Sequence, residues 1–194
     1  MTARLYLKDA NQKSAYSSPW SRKEAILARA WEVVWNIAVR WMPKIMFRWH
    51  VFLLKLFGCK ISGRPYVAPT CRIFAPWLLS LEDHCSLGSR SEVYNLGLIT
   101  IGAKAVVAQY AYLCNGTHDF SDERMQLLVG TMVIGRNVFV GAKSIILPGL
   151  SIGDNAIIGA GAVLTHDAEA WGVYGGNPAR FIKRRVMKGE HHHE

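Results

Sequence analysis

Apolar residues recur every sixth position between Ile61 and Leu164. From Val133 the run V-I-G-R-N-V-F-V-G-A-K-S-I-I-L-P-G-L-S-I-G-D-N-A-I-I-G-A-G-A-V-L keeps Ile134, Val140, Ile146, Ile152, Ile158 and Leu164 in register, and Gly135, Gly141, Gly153 and Gly159 follow four of them. An α-helix repeats at 3.6 and a single strand at two, so neither explains this period. Three six-residue faces, each turning one apolar side chain inward, make one triangular coil of a parallel β-helix. The pattern therefore predicts an all-β solenoid of about five coils.

The frame extends backwards through Ile61, Val67 and Ile73, then Leu81, Leu87 and Val93, then Ile101, Val107 and Leu113. The steps from Ile61 to Leu81 and from Leu81 to Ile101 are 20 residues instead of 18, so two extra residues sit after each third face. From Leu113 to Ile134 the step is 21 where six would serve. A loop of about residues 118–132 is thus expected to leave the solenoid at that corner. It begins with His118, and loops on a rigid scaffold are where chemistry tends to be placed. Its Met125, Leu127, Leu128, Val129 and Met132 are more apolar surface than one prism is expected to bury alone.

Ahead of the solenoid the pattern changes to helical. Ser21 with Glu24 forms a capping box for an unbroken run from Ala25 to Trp35. Pro43 separates it from a second apolar and basic segment, Ile45 to Phe57, that stops at Gly58. Arg29, Glu32 and Arg40 interrupt the apolar run short of the ~20 residues a membrane span needs. The expected organisation is a helical unit at 1–60, the solenoid at 61–167 and a C-terminal segment at 168–194.

Charge sharpens this division. Of the chain's net charge of +9, residues 1–60 contribute most, with eleven basic against three acidic residues. Two readings of the helical unit stay open: a cap over the end of the solenoid, and peripheral contact with an anionic membrane surface. No nucleic-acid-binding module accompanies the charge, so no nucleic-acid partner is expected. A second cluster, Arg180, Lys183, Arg184, Arg185 and Lys188, lies near the end. The cysteines Cys59, Cys71, Cys85 and Cys114 show no CxxC spacing, and Cys71 and Cys85 take the small fifth position of their hexapeptides, filled elsewhere by Ala105, Ala111, Ser144 and Ala162. Reduced, structural thiols are expected. Residues 1–18 lack the apolar stretch of a signal peptide. The expected location is the cytoplasm, at the inner face of the membrane if the membrane reading holds.

The run from Ile61 to Arg185 resembles the hexapeptide-repeat acyltransferases. Y-N-L-G-L-I-T-I-G at 94–102, L-C-N-G-T-H-D-F at 113–120, the six-period stretch, and G-G-N-P-A-R-F-I-K-R-R at 175–185 carry the likeness, and R-W-H-V-F-L-L-K-L-F-G-C-K-I at 48–61 extends it. It points to the branch with maltose, galactoside and nodulation-factor acetyltransferases and, within it, to colanic acid biosynthesis acetyltransferases. The resemblance implies a left-handed parallel β-helix, a hand that period alone would not have predicted. It implies a homotrimer and transfer of an acetyl group from acetyl-CoA to an acceptor in a ternary complex. The acceptor it suggests is a hydroxyl of a sugar or of a lipid-linked or exopolysaccharide precursor.

By position, His118 would be the general base, since imidazole exchanges protons near neutral pH. Asn95 would be catalytic or substrate-binding beside the acetyl group, and Asp119 and Asp122 would contact acceptor hydroxyls. Ala142 and Ala160 would offer backbone to the pantetheine arm, with Thr165 and His166 near the nucleotide and Arg180 and Arg184 near its phosphates. The family often has lysine where this chain has His166. His50, His84, His166 and His191–His193 are weaker candidates for the base. N-acetylation of an amino sugar or xenobiotic, and a structural β-helix without activity, are the alternatives. A three-histidine metal site has no counterpart in the residues, so no metal is expected.

Overall fold

The computed structural model describes residues 5–9, 12, 17 and 19–187. The six-residue register is the hydrogen-bonding register: Ile61, Leu81, Ile101, Ile134 and Ile152 follow one another up the first face as paired residues. The second face stacks Val67, Leu87, Val107, Val140 and Ile158. The third stacks Ile73, Val93, Leu113, Ile146 and Leu164. All of these inward residues but Ile61 are buried, and Ile61 packs against the same core. Pairing within the coils is parallel throughout, which makes five complete coils. A sixth begins at Ala168, which bridges to Ile152, and continues as Gly172–Gly176 along the second face. The solenoid therefore runs past residue 167, and the strand Ala179–Arg184 folds back on Gly172–Gly176 in an antiparallel pair.

In most coils two of the three corners turn through a left-handed residue. His84, Lys104, Asn137 and Asn155 do so after the first face, Arg90, Tyr110 and Lys143 after the second, all at φ of 54° to 62°. Most of these types avoid that region at a cost of about 1–2 kcal/mol each. The ladder offsets it: the N–H of Lys104, Asn137 and Asn155 donates to Asp83, Ala103 and Arg136 on the neighbouring coil. Close stacking also explains the glycine at 141, where a Cβ would stand 2.5 Å from the Ala160 nitrogen.

Hydrogen bonds run both ways between coils: Tyr66 N–H donates forward to Cys85 O and Ala68 N–H to Leu87 O, while Lys104 N–H donates back to Asp83 O. The first coil has no coil before it, so the carbonyls on its open edge need other donors. The helices α1 (Arg22–Ala38) and α2 (Phe47–Leu56) supply donors. Trp31 Nε1 donates to Ile73 O at 2.7 Å and Trp35 Nε1 to Cys71 O at 2.8 Å. His50, fully buried on α2, lies with Nδ1 3.1 Å from Val67 O, and because a carbonyl only accepts, that nitrogen holds the proton. The cap reading of the helical unit is thus realised, with the Ser21–Glu24 capping box at the start of α1.

Residues 1–60 are not wholly helical. Leu5–Leu7 is a strand, and it joins the segment inserted at the third corner. That segment is a hairpin, Gly116–His118 paired antiparallel with Leu127–Gly130, while Met132 already begins the next coil. Leu127 and Val129 are buried with Leu96 against Trp20, Phe74 and Tyr94. The expectation that this apolar surface needs another subunit is corrected here: the chain's own N-terminal strand and Trp20 segment cover most of it, because Leu5–Leu7 adds its edge to the hairpin.

Candidate functional site

The hairpin presents His118 at its outer end. His118 pairs across to Leu127, and Asp119 N donates to Gln126 O at 2.8 Å. The exposed imidazole turns Nδ1 toward Met125 O at 2.7 Å. A carbonyl cannot donate, so Nδ1 carries the hydrogen and Nε2 keeps its lone pair free. This is the tautomer a general base requires. Met125 reaches that position through a left-handed backbone at φ 47°, a feature the sequence does not announce.

Asp119 and Asp122 build the turn between the two strands. Asp119 Oδ1 accepts from Ser121 N at 3.0 Å and Ser121 Oγ at 2.5 Å. Asp122 accepts from Arg124 N at 2.8 Å and from the Arg124 guanidinium at 2.6 Å. These side-chain and then backbone bonds from Arg124 hold the Asp122 carboxyl below the usual range. Both acids stand next to His118 in the hairpin, yet each already has local partners.

Asn95 is placed differently from the expectation. It is fully buried, accepts from Ala75 N at 2.9 Å and donates to Ala75 O at 2.5 Å, so it pins the third corner of one coil to the coil before it. A side chain closed on the backbone in this way is not turned toward a soluble acceptor. Asn115, which sequence reasoning passed over, has the equivalent position one coil on. Its Nδ2 donates to Gly130 O at 2.8 Å and Leu98 O at 3.1 Å, and its Oδ1 accepts from Gly149 N at 3.2 Å. Asn115 thereby ties both ends of the hairpin to the solenoid and holds the base of His118. The signal was available as the repeated asparagine two places after Val93 and Leu113.

The remaining candidates lie further along the solenoid, some on the edge of His118 and some away from it. Ala142 and Ala160 lie at the second corner of the last two coils, joined by Gly161 N donating to Ala142 O at 2.8 Å. In earlier coils that corner is covered by Arg90, whose Nη1 donates to Tyr110 Oη at 2.6 Å. In the last coil it is bare at Gly161, where a Cβ would meet nothing within 4 Å. Thr165 and His166 lie at the third corner, the same edge as His118 but further along, with Oγ1 and Nδ1 2.8 Å apart. Arg180 and Arg184 are exposed on the antiparallel strand over the second face. Arg185 belongs to the structure, since its Nη1 bonds Asn137 O at 2.9 Å and Asn155 O at 3.1 Å. A single chain brings His118, Asp119 and Asp122 together but leaves Ala142, Ala160, Arg180 and Arg184 on different edges.

The other histidines do not match this arrangement. His84 Nδ1 lies 2.8 Å from Asp83 Oδ2 at a solenoid corner, His50 is buried in the cap, and His191–His193 and Lys188 lie outside the described residues. A cavity of about 680 Å³ opens between α1 and the third face, beside Trp20, Phe74 and Tyr94. Its charged residues pair locally, Arg29 with Glu32 at 2.9 Å and Arg72 with Glu92 at 3.9 Å, and it contains no histidine. His118 remains the better candidate for a base.

Comparison with known proteins places the chain in a family. The family described as "Bacterial transferase hexapeptide (six repeats)" matches residues 131–166, and "Hexapeptide repeat of succinyl-transferase" matches residues 79–109. The Escherichia coli K12 protein named "Putative colanic acid biosynthesis acetyltransferase WcaF" is 36% identical over 162 residues, covering 84% of this chain and 89% of that protein. Among solved structures, a maltose O-acetyltransferase from Clostridium difficile 630 superposes with a TM-score of 0.77 at 21% identity, covering 86% of this chain and 90% of the other. A hexapeptide-repeat-containing acetyltransferase from Vibrio cholerae, complexed with acetyl coenzyme A, gives 0.77 at 18% identity, covering 89% and 94%. With the six-residue coils, the inserted hairpin and a relative matched over most of both lengths, the chain belongs to the hexapeptide-repeat acyltransferases and folds as their left-handed parallel β-helix.

Proposed function

We propose that this enzyme transfers an acetyl group from acetyl-CoA to a hydroxyl of a sugar or exopolysaccharide precursor, directly and without a covalent enzyme intermediate. The observation that carries the proposal is the His118 imidazole with Nδ1 committed to the Met125 carbonyl. Its free Nε2 takes the proton of the acceptor hydroxyl as that oxygen attacks the thioester carbonyl, and the same nitrogen then returns the proton to the departing sulfur. Asp119 and Asp122 flank the base and offer carboxylate acceptors to neighbouring sugar hydroxyls.

The bare corner at Ala142 and Ala160 lies along the pantetheine arm, with Thr165 and His166 toward the nucleotide and Arg180 and Arg184 toward its phosphates. These residues occupy edges that one chain keeps apart, which favours a homotrimer in which neighbouring chains complete the groove. The similarity of this chain to a protein named for colanic acid biosynthesis favours a saccharide acceptor.

The test is acetyl-CoA-dependent thiol release with a panel of sugars, nucleotide sugars, amino sugars and lipid-linked saccharides, alongside sedimentation of the free protein. Release with a saccharide, product carrying an acetyl ester, and a mass near three times 21.7 kDa are expected. Amide formation on an amino sugar alone, or an active monomer, overturns the reading.

A further inference from the structure

The two helices that cap the first coil carry a second apolar face. On α1, Trp31 and Trp35 face the solenoid, while Ile26, Ala30, Val33 and Ile37 form an exposed stripe on another side. On α2 the buried residues are His50, Leu53 and Leu54, and the exposed stripe is Trp49, Phe52 and Leu56, preceded by Ile45. Both stripes have the same spacing, steps of four, three and four, which places their members along one side of a helix. Ile37 is 72% exposed, Trp41 82% and Ile45 85%. The stripes adjoin: Trp49 Nε1 donates to Ala38 O at the end of α1, 3.0 Å, and the Trp49 ring stacks on Phe52 with centroids 5.6 Å apart. A continuous exposed apolar surface of this kind marks an interface.

Charge identifies the occupant. Arg22, Arg29 and Arg40 lie beside the α1 stripe, and Arg48 and Lys55 beside that of α2, by their positions round each helix. The two acids of α1 are engaged, Glu24 with Ser21 and Lys8, Glu32 with Arg29. A second copy applied face to face would set arginine against arginine. Among the described residues no helix is long and apolar enough to cross a membrane. Apolar stripes with tryptophans and basic flanks suit a helix lying in the headgroup plane. We infer that the outer faces of α1 and α2 dock this enzyme on an anionic lipid bilayer, with the stripes entering the acyl boundary and the flanking arginines and lysine at the headgroups.

The experiment is flotation of the full chain with phosphatidylcholine vesicles, with and without phosphatidylglycerol, followed by tryptophan emission. Binding should be at least about tenfold stronger to the anionic vesicles, since each basic residue near the surface contributes on the order of 1 kcal/mol. It should weaken with salt and shift emission to the blue. Val33→Glu with Phe52→Glu should lower binding by about tenfold or more, with circular dichroism, oligomer mass and acetyl transfer to a soluble acceptor unchanged. Absence of vesicle binding, or binding that survives the double substitution, overturns the proposal. So does a change of oligomer mass in that variant, which would make the face a contact between subunits.

Discussion

The first three coils and the last two are built from one hexapeptide, but only the first three are decorated. Their lengths are 20, 20 and 33 residues against 18 for the fourth. Every added residue leaves at the third corner, which the first and second coils turn without a left-handed residue. Asn95 and Asn115 close that corner with side-chain bonds instead. The decorated half is covered by α1, α2 and the N-terminal strand and presents side-chain chemistry at His118. The plain half presents backbone at Ala142, Ala160 and Gly161. On the proposed function, irregularity houses the reactive group and regularity leaves room for a long ligand to lie along the coils.

The sharpest way to break this contrast is His118→Ala. On the proposed mechanism kcat falls by roughly 10²–10⁴, while KM for acetyl-CoA stays within about twofold because the donor strip lies on other edges. Steady-state kinetics with sedimentation as a control decides it. A variant with wild-type kcat removes the decorated half from the chemistry.

The second prediction concerns thiols, which are also unevenly placed. Burial pushes Cys59, Cys71 and Cys85 up to about 12, and all three lie at or before the second coil. At the fifth position of later hexapeptides stand Ala105, Ala111, Ser144, Ala156 and Ala162. In the unfolded chain these thiols ionise near their ordinary value of about 8.5, whereas the folded chain keeps them protonated to about 12. The unfolded state therefore binds fewer protons between those values, and stability falls as pH rises through that window. Thermal melts should drop above about pH 9, with Trp31 and Trp35 reporting first because they cap the coil that holds Cys71. Cys71→Ala with Cys85→Ala should flatten the decline; an unchanged profile would place the alkaline weakness elsewhere.

The same division explains what the sequence could reveal. The fifteen inward residues were legible because each stacks on its like at a fixed interval, and the Ser21–Glu24 capping box because both partners lie within four residues. The partnership of Leu5–Leu7 with Leu127–Gly130 was not, since no local signal links strands more than a hundred residues apart. His118 could be found as a loop histidine in a familiar setting. Its tautomer could not, because it depends on the carbonyl of Met125, which any residue would supply. The setting of Asn95 was hidden for a related reason: an asparagine at a corner reads alike whether its amide faces a ligand or, as here, the backbone of Ala75.

The two asparagines supply a test of smaller effect. Asn95→Ala and Asn115→Ala each remove a buried amide and leave backbone groups unpaired, a loss of about 1–3 kcal/mol by denaturant titration. Below the melting range, Asn95→Ala should keep kcat near wild type. Asn115→Ala should lower kcat as well, because both ends of the His118 hairpin hang from it. A selective kcat loss in Asn95→Ala, with stability intact, would restore it to the acceptor site.

The smallest effect is expected in the plain half, and there the control comes from the decorated one. Arg180→Ala removes an exposed charge from the strand over the second face. If that charge meets the phosphates of the donor, KM for acetyl-CoA rises several-fold, on the order of 1 kcal/mol for an exposed ion pair, with kcat unchanged because the contact is remote from the reacting carbon. The rise should be larger at low salt, where the Debye length is longer. Arg90→Ala changes the chain's net charge equally but acts at a corner closed by Tyr110, 5.6 Å from the guanidinium. It should leave KM unaltered. Equal shifts in both variants would mean that net charge, and not the strip from Ala142 to Arg180, attracts the donor.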